Sequence, residues 1–260
     1  MNKWRFALLS AASLALAGCL SSQDLNQKSA KNYQRIVNQM ELFGIVEHDS
    51  TTAVQVTHTF SRLFPIAEQY NESGRALDWQ IAVFRSPEIS AWTMPGGKMV
   101  IHSALVDKLH LSDDELAMIL AHEMVHVVKE HGKEQVNLDR ATGLLGIFGG
   151  TVASTAFSYV GSALAWVPEY AISKPFSRSS ELEADRLGLL IMAEAGYNPQ
   201  HVTRLWQKLY EFSADDAGFL QQLVSTHPSY QEREANIQKV LPQALALYQQ
   251  QSAVSRTSDR

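Results

Sequence analysis

Apolar positions along this 260-residue chain recur at two spacings, helical and alternating, and their order predicts an α+β protein that is mostly α-helical. From Thr51 to about Tyr70, the residues Val54, Val56, Phe60, Leu63, Phe64 and Ala67 fit one face of an amphipathic helix, with Pro65 as a blemish. The run Trp79-Gln80-Ile81-Ala82-Val83-Phe84 predicts a strand, and Ile89–Met94 and Lys98–Ile101 flank a Pro95-Gly96-Gly97 turn as a hairpin. A short helix is expected from Ser103 to Leu109. The next has a marked start, because Ser112-Asp113-Asp114-Glu115 fits a capping box in which hydroxyl and carboxylate satisfy backbone donors reciprocally. Its expected end is Gly132, where Lys129 and His131 suit the negative end of the helix dipole. Further helices are expected from Ser179 to Ala195, stopped by Gly196 and Pro199, from His201 to Phe212, and from about Pro228 onward.

The chain divides into four parts. Residues 1–18 have the layout of a signal peptide, with Lys3 and Arg5 before an apolar stretch that ends in small residues. Leu16-Ala17-Gly18-Cys19 resembles the lipobox of bacterial lipoproteins, which implies cleavage before Cys19 and lipidation of its thiol; Leu20 in place of Asp implies the outer membrane. Residues 19–45 are expected to be a lipidated tether and N-terminal segment, with 20–34 rich in Ser, Gln, Lys and Asn. Residues 46–250 form one domain, and 251–260 a flexible tail. Within the domain, Ala141–Val167 carries no charge. Three placements fit it: a buried helical hairpin, a surface resting on the membrane, or a weak membrane insertion interrupted by glycines.

Charge and cysteine usage narrow the chemistry. Lys and Arg number 22 against 27 Asp and Glu, and the net charge of −5 gives no general attraction for nucleic acid. Cys19 is the single cysteine, so neither an intrachain disulfide nor a cysteine-ligated metal is available. Any metal must use His and carboxylates.

Residues 116–132, LAMILAHEMVHVVKEHG, supply them. On a helix, His122 and His126 lie one above the other and can present two imidazole nitrogens to one point, while Glu123 sits about 100° round the axis beside it. Leu116, Ile119, Leu120, Val127 and Val128 place this helix in the core, where unpartnered imidazoles and a carboxylate are costly to bury; metal ligation removes that cost. A catalytic zinc needs a third protein ligand and an open position. The helix from Ser179 opens SSELEADRLGLL, with Glu181 and Asp185 on one face and Glu183 turned away. Spacing alone leaves Glu181 or Glu183 as the ligand, and leaves a plainer reading in which the acids suit a helix N-terminus and pair with Arg178 and Arg186.

HEMVH followed about fifty residues later by ELEAD resembles the zinc metallopeptidases of the HtpX and CAAX-prenyl-protease group, in layout most like their bacterial periplasmic lipoprotein members. Ser90-Ala91-Trp92-Thr93-Met94-Pro95-Gly96-Gly97 is similar to the family's N-A-F-x-x-P-G-G segment, with Ser90 in place of Asn. His227-Pro228 followed by Arg233 is similar to its late H-P-x-x-x-x-R element. The resemblance implies a zincin-like metallopeptidase domain with a small β-hairpin beside the H-E-x-x-H helix. It also implies one zinc ion held by His122, His126 and Glu181, with Asp185 hydrogen-bonded to a ligating histidine. Glu123 then acts as general base and acid, and His227 as oxyanion donor or occupant of the open metal position.

At the hairpin edge, Ala91, Trp92, Thr93 and Met94 offer an extended substrate a strand to pair with, at little sequence cost. Expected partners are unfolded outer-membrane proteins, the membrane through Cys19, and envelope assembly machinery. A shared ion also excludes a single membrane span at 141–167, since His126 and Glu181 flank it. Two other classes remain: a periplasmic chaperone or assembly factor with a latent protease site, and a structural lipoprotein whose metal only fixes the fold. His102, His110, His131 and His201 read as surface or satisfied core residues.

Overall fold

A computed structural model of the protein describes residues 21–138, 176–215 and 230–258. The signal and lipobox segment through Cys19, the uncharged 141–167 stretch and His227 lie outside the described residues.

Four strands make a mixed sheet: β1 (Val46–Glu47), β2 (Gln80–Phe84), β3 (Ala91–Met94) and β4 (Lys98–His102), ordered β1-β2-β4-β3. The predicted hairpin is β3–β4, antiparallel, with Met94 opposite Lys98. Gly96 and Gly97 turn it at φ +86° and +85°, a region that glycine enters without steric cost. The local pattern carries no sign that β2 pairs with β4 in parallel, Gln80 opposite Lys98, which leaves β3 at the sheet edge.

Alternation along β4 splits the core in two. Met99 and Ile101 join Val83 against α2 (Thr51–Ala67) and α4 (Asp113–Val128). Val100 points the other way and joins Ala82, Phe84 and Met94 under Tyr33 and Ile36. Those two belong to α1 (Ser22–Leu42), capped by the Ser21 hydroxyl, which accepts from the Asp24 amide. The polar segment expected to be a tether is therefore a helix packed on the sheet. Its buried positions Leu25, Ser29, Tyr33 and Ile36 give about one contact per turn, a stripe too narrow to stand out in a polar composition but wide enough to cover an apolar sheet.

In α2 the buried stripe is Ala53, Val56, Phe60, Leu63 and Ala67, while Val54, assigned to it from sequence, is 57% exposed. Pro65 sits in the last turn, and a short 3₁₀ turn follows at Glu68–Tyr70. Helix α3 is Ser103–Lys108. The capping box of α4 is present in full, but the helix stops at Val128 rather than near Gly132. Glu130 adopts a left-handed φ of 55°, and its carbonyl accepts from the Lys133 and Glu134 amides to start a second helical stretch over residues 131–138.

Helix α5 (Arg178–Glu194) begins under the Ser177 hydroxyl and ends at Gly196, φ +80°. A Cβ placed on Gly188 would stand 3.0 Å from the His122 nitrogen and 3.2 Å from its Cα, so this glycine lets α5 lie against the backbone of α4. Helix α6 is Val202–Asp215 and α7 is Tyr230–Ser258, which carries the chain in helix through most of the expected tail. Among the described residues, no helix is long and apolar enough to cross a membrane.

Candidate metal centre

The close contact of α4 with α5 brings His122, His126 and Glu181 together, all buried, with their ligand atoms within 4.8 Å of one another. The two Nε2 atoms are 3.1 Å apart, and each lies 3.5 Å from a Glu181 carboxylate oxygen. Asp185, one turn along α5, lies with Oδ1 3.0 Å from His122 Nδ1. An ionised carboxylate only accepts, so Nδ1 carries the hydrogen and Nε2 keeps its lone pair toward Glu181.

His126 is oriented differently. Its Nδ1 lies 3.0 Å from Nδ1 of His131, whose Nε2 lies 3.2 Å from Glu183. With Glu183 accepting from His131 Nε2, the His131 Nδ1 is an acceptor, His126 Nδ1 donates to it, and His126 Nε2 also keeps its lone pair. Burial lowers the His131 pKa, in keeping with a neutral ring. Phe176 stacks on His126 with ring centres 3.8 Å apart.

Two lone pairs and a carboxylate that face one another form a set of acceptors, a donor set for a cation. Burial works against charge on His122, yet the neighbouring carboxylates of Asp185 and Glu181 outweigh that and raise its pKa. Arg233 supplies fixed positive charge behind the cluster. Its Nε and Nη2 each donate to Asp185 at 2.8 Å, and Nη1 lies 3.3 Å from Glu181. The guanidinium also lies over the Trp206 ring, 4.5 Å from its centre. Glu123, 4% exposed, follows His122 in α4, and its charge acts on Arg233.

A sequence model described as peptidase family M48 matches residues 52–241. The chain belongs to that family. Among M48-related proteins, it is 28% identical over 193 residues to the mitochondrial metalloendopeptidase OMA1 of Schizosaccharomyces pombe, covering 74% of this chain and 54% of the relative. With the OMA1 of Saccharomyces cerevisiae it shares 32% identity over 184 residues, 69% of this chain and 52% of the relative. With the β-barrel assembly-enhancing protease of Escherichia coli it shares 30% over 164 residues, 59% and 32% of the two chains. The match thus spans about half or less of these relatives. M48 peptidases are zinc-dependent, and the buried His-His-Glu set fits that ion in residue type and proximity.

Of the sequence-predicted residues, His122, Glu123, His126, Glu181 and Asp185 come together on two helices, and Glu181 rather than Glu183 faces both imidazoles. Ala91–Met94 form the edge strand, with the Thr93 and Met94 side chains buried. A small cleft is lined by Thr93, Met94, Pro95 and Gly96 together with His126, Val127 and Glu130. His131, expected to be a surface or satisfied core residue, is a buried one whose two ring nitrogens meet His126 and Glu183; its place beside the metal centre was not foreseen. Helical spacing hides it, because five residues separate it from His126 and the break at Glu130 brings it back.

Proposed function

We propose that this M48 protein is a zinc metalloendopeptidase held by a lipid on Cys19 at the periplasmic face of a bacterial outer membrane, where it hydrolyses unfolded or misassembled envelope proteins. One observation carries the catalytic part: the lone pairs of His122 and His126 and the carboxylate of Glu181 converge, with Glu123 buried at the next helical position. Zinc held there supplies Lewis acidity, which makes water more acidic and polarises a carbonyl. Glu123 takes the proton of the attacking water and delivers it to the leaving amine. Asp185 and Arg233 keep His122 and Glu181 in place through the contacts above. Residues Ala91–Met94 pair with an extended substrate through main-chain groups, which suits polypeptides of varied sequence. His227 donates to the oxyanion in this scheme, on the strength of the family motif alone.

The envelope setting rests on the Lys3-to-Cys19 layout and on the name of the Escherichia coli relative. The OMA1 relatives are mitochondrial by name, so family membership alone does not assign a compartment. The decisive experiment pairs metal analysis with cleavage of casein and unfolded porin. Glu123→Gln should retain zinc and lose roughly 10²-fold or more in rate. Unchanged hydrolysis would remove Glu123 from the mechanism, and normal porin assembly by this variant in cells would favour the chaperone reading. Palmitate labelling tests the anchor: Cys19→Ala should lose label and leave the membrane fraction.

A further inference from the structure

The two histidines of the centre are held by different devices, and the second uses none of the fixed positions of the H-E-x-x-H and E-x-x-x-D motifs. His122 meets a carboxylate directly, at Asp185. His126 meets a second imidazole, His131, which in turn meets Glu183. This chain exists because α4 breaks. Glu130 at φ 55° interrupts the helix, and the helical stretch that follows sets His131, five positions on, against His126 with ring centres 5.0 Å apart. His131 is 5% exposed, and Lys129 Nζ, 3.9 Å from Glu183, adds positive charge beside that carboxylate.

From this geometry we infer that His131 and Glu183 are positioning residues for the metal: Glu183 fixes the tautomer of His131, and His131 fixes the tautomer and ring plane of His126. The inference rests on His126 being a ligand. The chain of donors has one consistent direction. Glu183 accepts from His131 Nε2–H, His131 Nδ1 accepts from His126 Nδ1–H, and His126 Nε2 is left with its lone pair aimed at His122 Nε2 and Glu181. Reversing either tautomer would place a hydrogen on His126 Nε2, between that nitrogen and the ion. Carboxylate charge then reaches His126 only through a neutral ring, so His126 is the ligand held with less charge assistance.

Zinc affinity of the purified full chain, measured at fixed pH by competition with a chromophoric chelator, tests this without relying on turnover. His131→Leu should weaken zinc binding by about 10- to 100-fold. His131→Asn places an amide oxygen where Nδ1 stood and should bind within about 3-fold of the parent. His131→Gln reaches only the Nε2 position and should be as weak as His131→Leu. Packing alone would give the opposite order, with Leu at least as good as Asn. Glu183→Leu should also weaken binding, and adding His131→Leu to it should cost less than the product of the two single effects. Should His131→Leu fail to fold, the Asn and Gln variants still decide. His126→Ala is the control for the ligand assignment. If it binds zinc normally, the ligand reading fails; if it loses zinc while His131→Gln binds like the parent, only the positioning role fails.

Discussion

Arg233 sets the electrostatic balance among the buried side chains. It forms a two-pronged pair with Asp185 and reaches Glu181, and both carboxylates are fully buried. Replacing it with methionine keeps the bulk over Trp206 and removes the guanidinium charge that both buried carboxylates meet. Removing one partner of a buried pair costs about 3–5 kcal/mol, and urea denaturation of Arg233→Met should show a loss of that order. Zinc replaces part of the missing charge, so the loss should be smaller with zinc than with a chelator. At this scale the sequence is explicit about His122, Glu123 and His126, because a four-residue step on a helix is a fixed geometry. It does not choose between Glu181 and Glu183, since that depends on how α5 is rotated against α4.

That rotation belongs to the elements. The two helices meet where Gly188 passes His122, and nothing larger than hydrogen fits without moving a backbone. Alanine normally favours a helix over glycine by about 1 kcal/mol. Here the added methyl meets backbone atoms at 3.0 and 3.2 Å, which cannot rotate away. Overpacking of this kind costs about 1–3 kcal/mol, so Gly188→Ala should lower the melting temperature and shift Glu181 away from the imidazoles. Calorimetry and zinc titration of the same variant check both effects. Caps were legible from sequence at this scale: the Ser112–Glu115 box is formed as read. The end of α4 was not, because Glu130 takes a conformation that its side chain disfavours and that surrounding contacts impose.

Across the whole molecule, the sheet lies between α1 on one face and α2 with α4 on the other. His102 ends β4 inside this layered core, 7% exposed, its ring stacked against Phe84. Its Nδ1 is 3.4 Å from Glu88 but makes no hydrogen bond, and burial pushes its pKa down to about 4. An unfolded histidine titrates near 6.5. Between those values the unfolded chain binds the extra proton, so stability falls as pH drops from about 6.5 to about 4 and this contribution is flat below that. The loss should approach about 3 kcal/mol, and His102→Leu should flatten that part of the stability-against-pH curve in chemical denaturation.

The sequence by itself determined what repeats locally. Helix and strand periods, the capping box, the glycine turn and the H-E-x-x-H face all follow from spacings of a few residues, where backbone geometry leaves little choice. The tertiary structure alone decided what depends on pairing distant segments: the parallel register of β2 with β4, the docking of a polar α1 on the sheet, the choice of Glu181, and the return of His131 onto His126. Each of these is selected by contacts between surfaces far apart in the chain, whose relative placement no local spacing encodes.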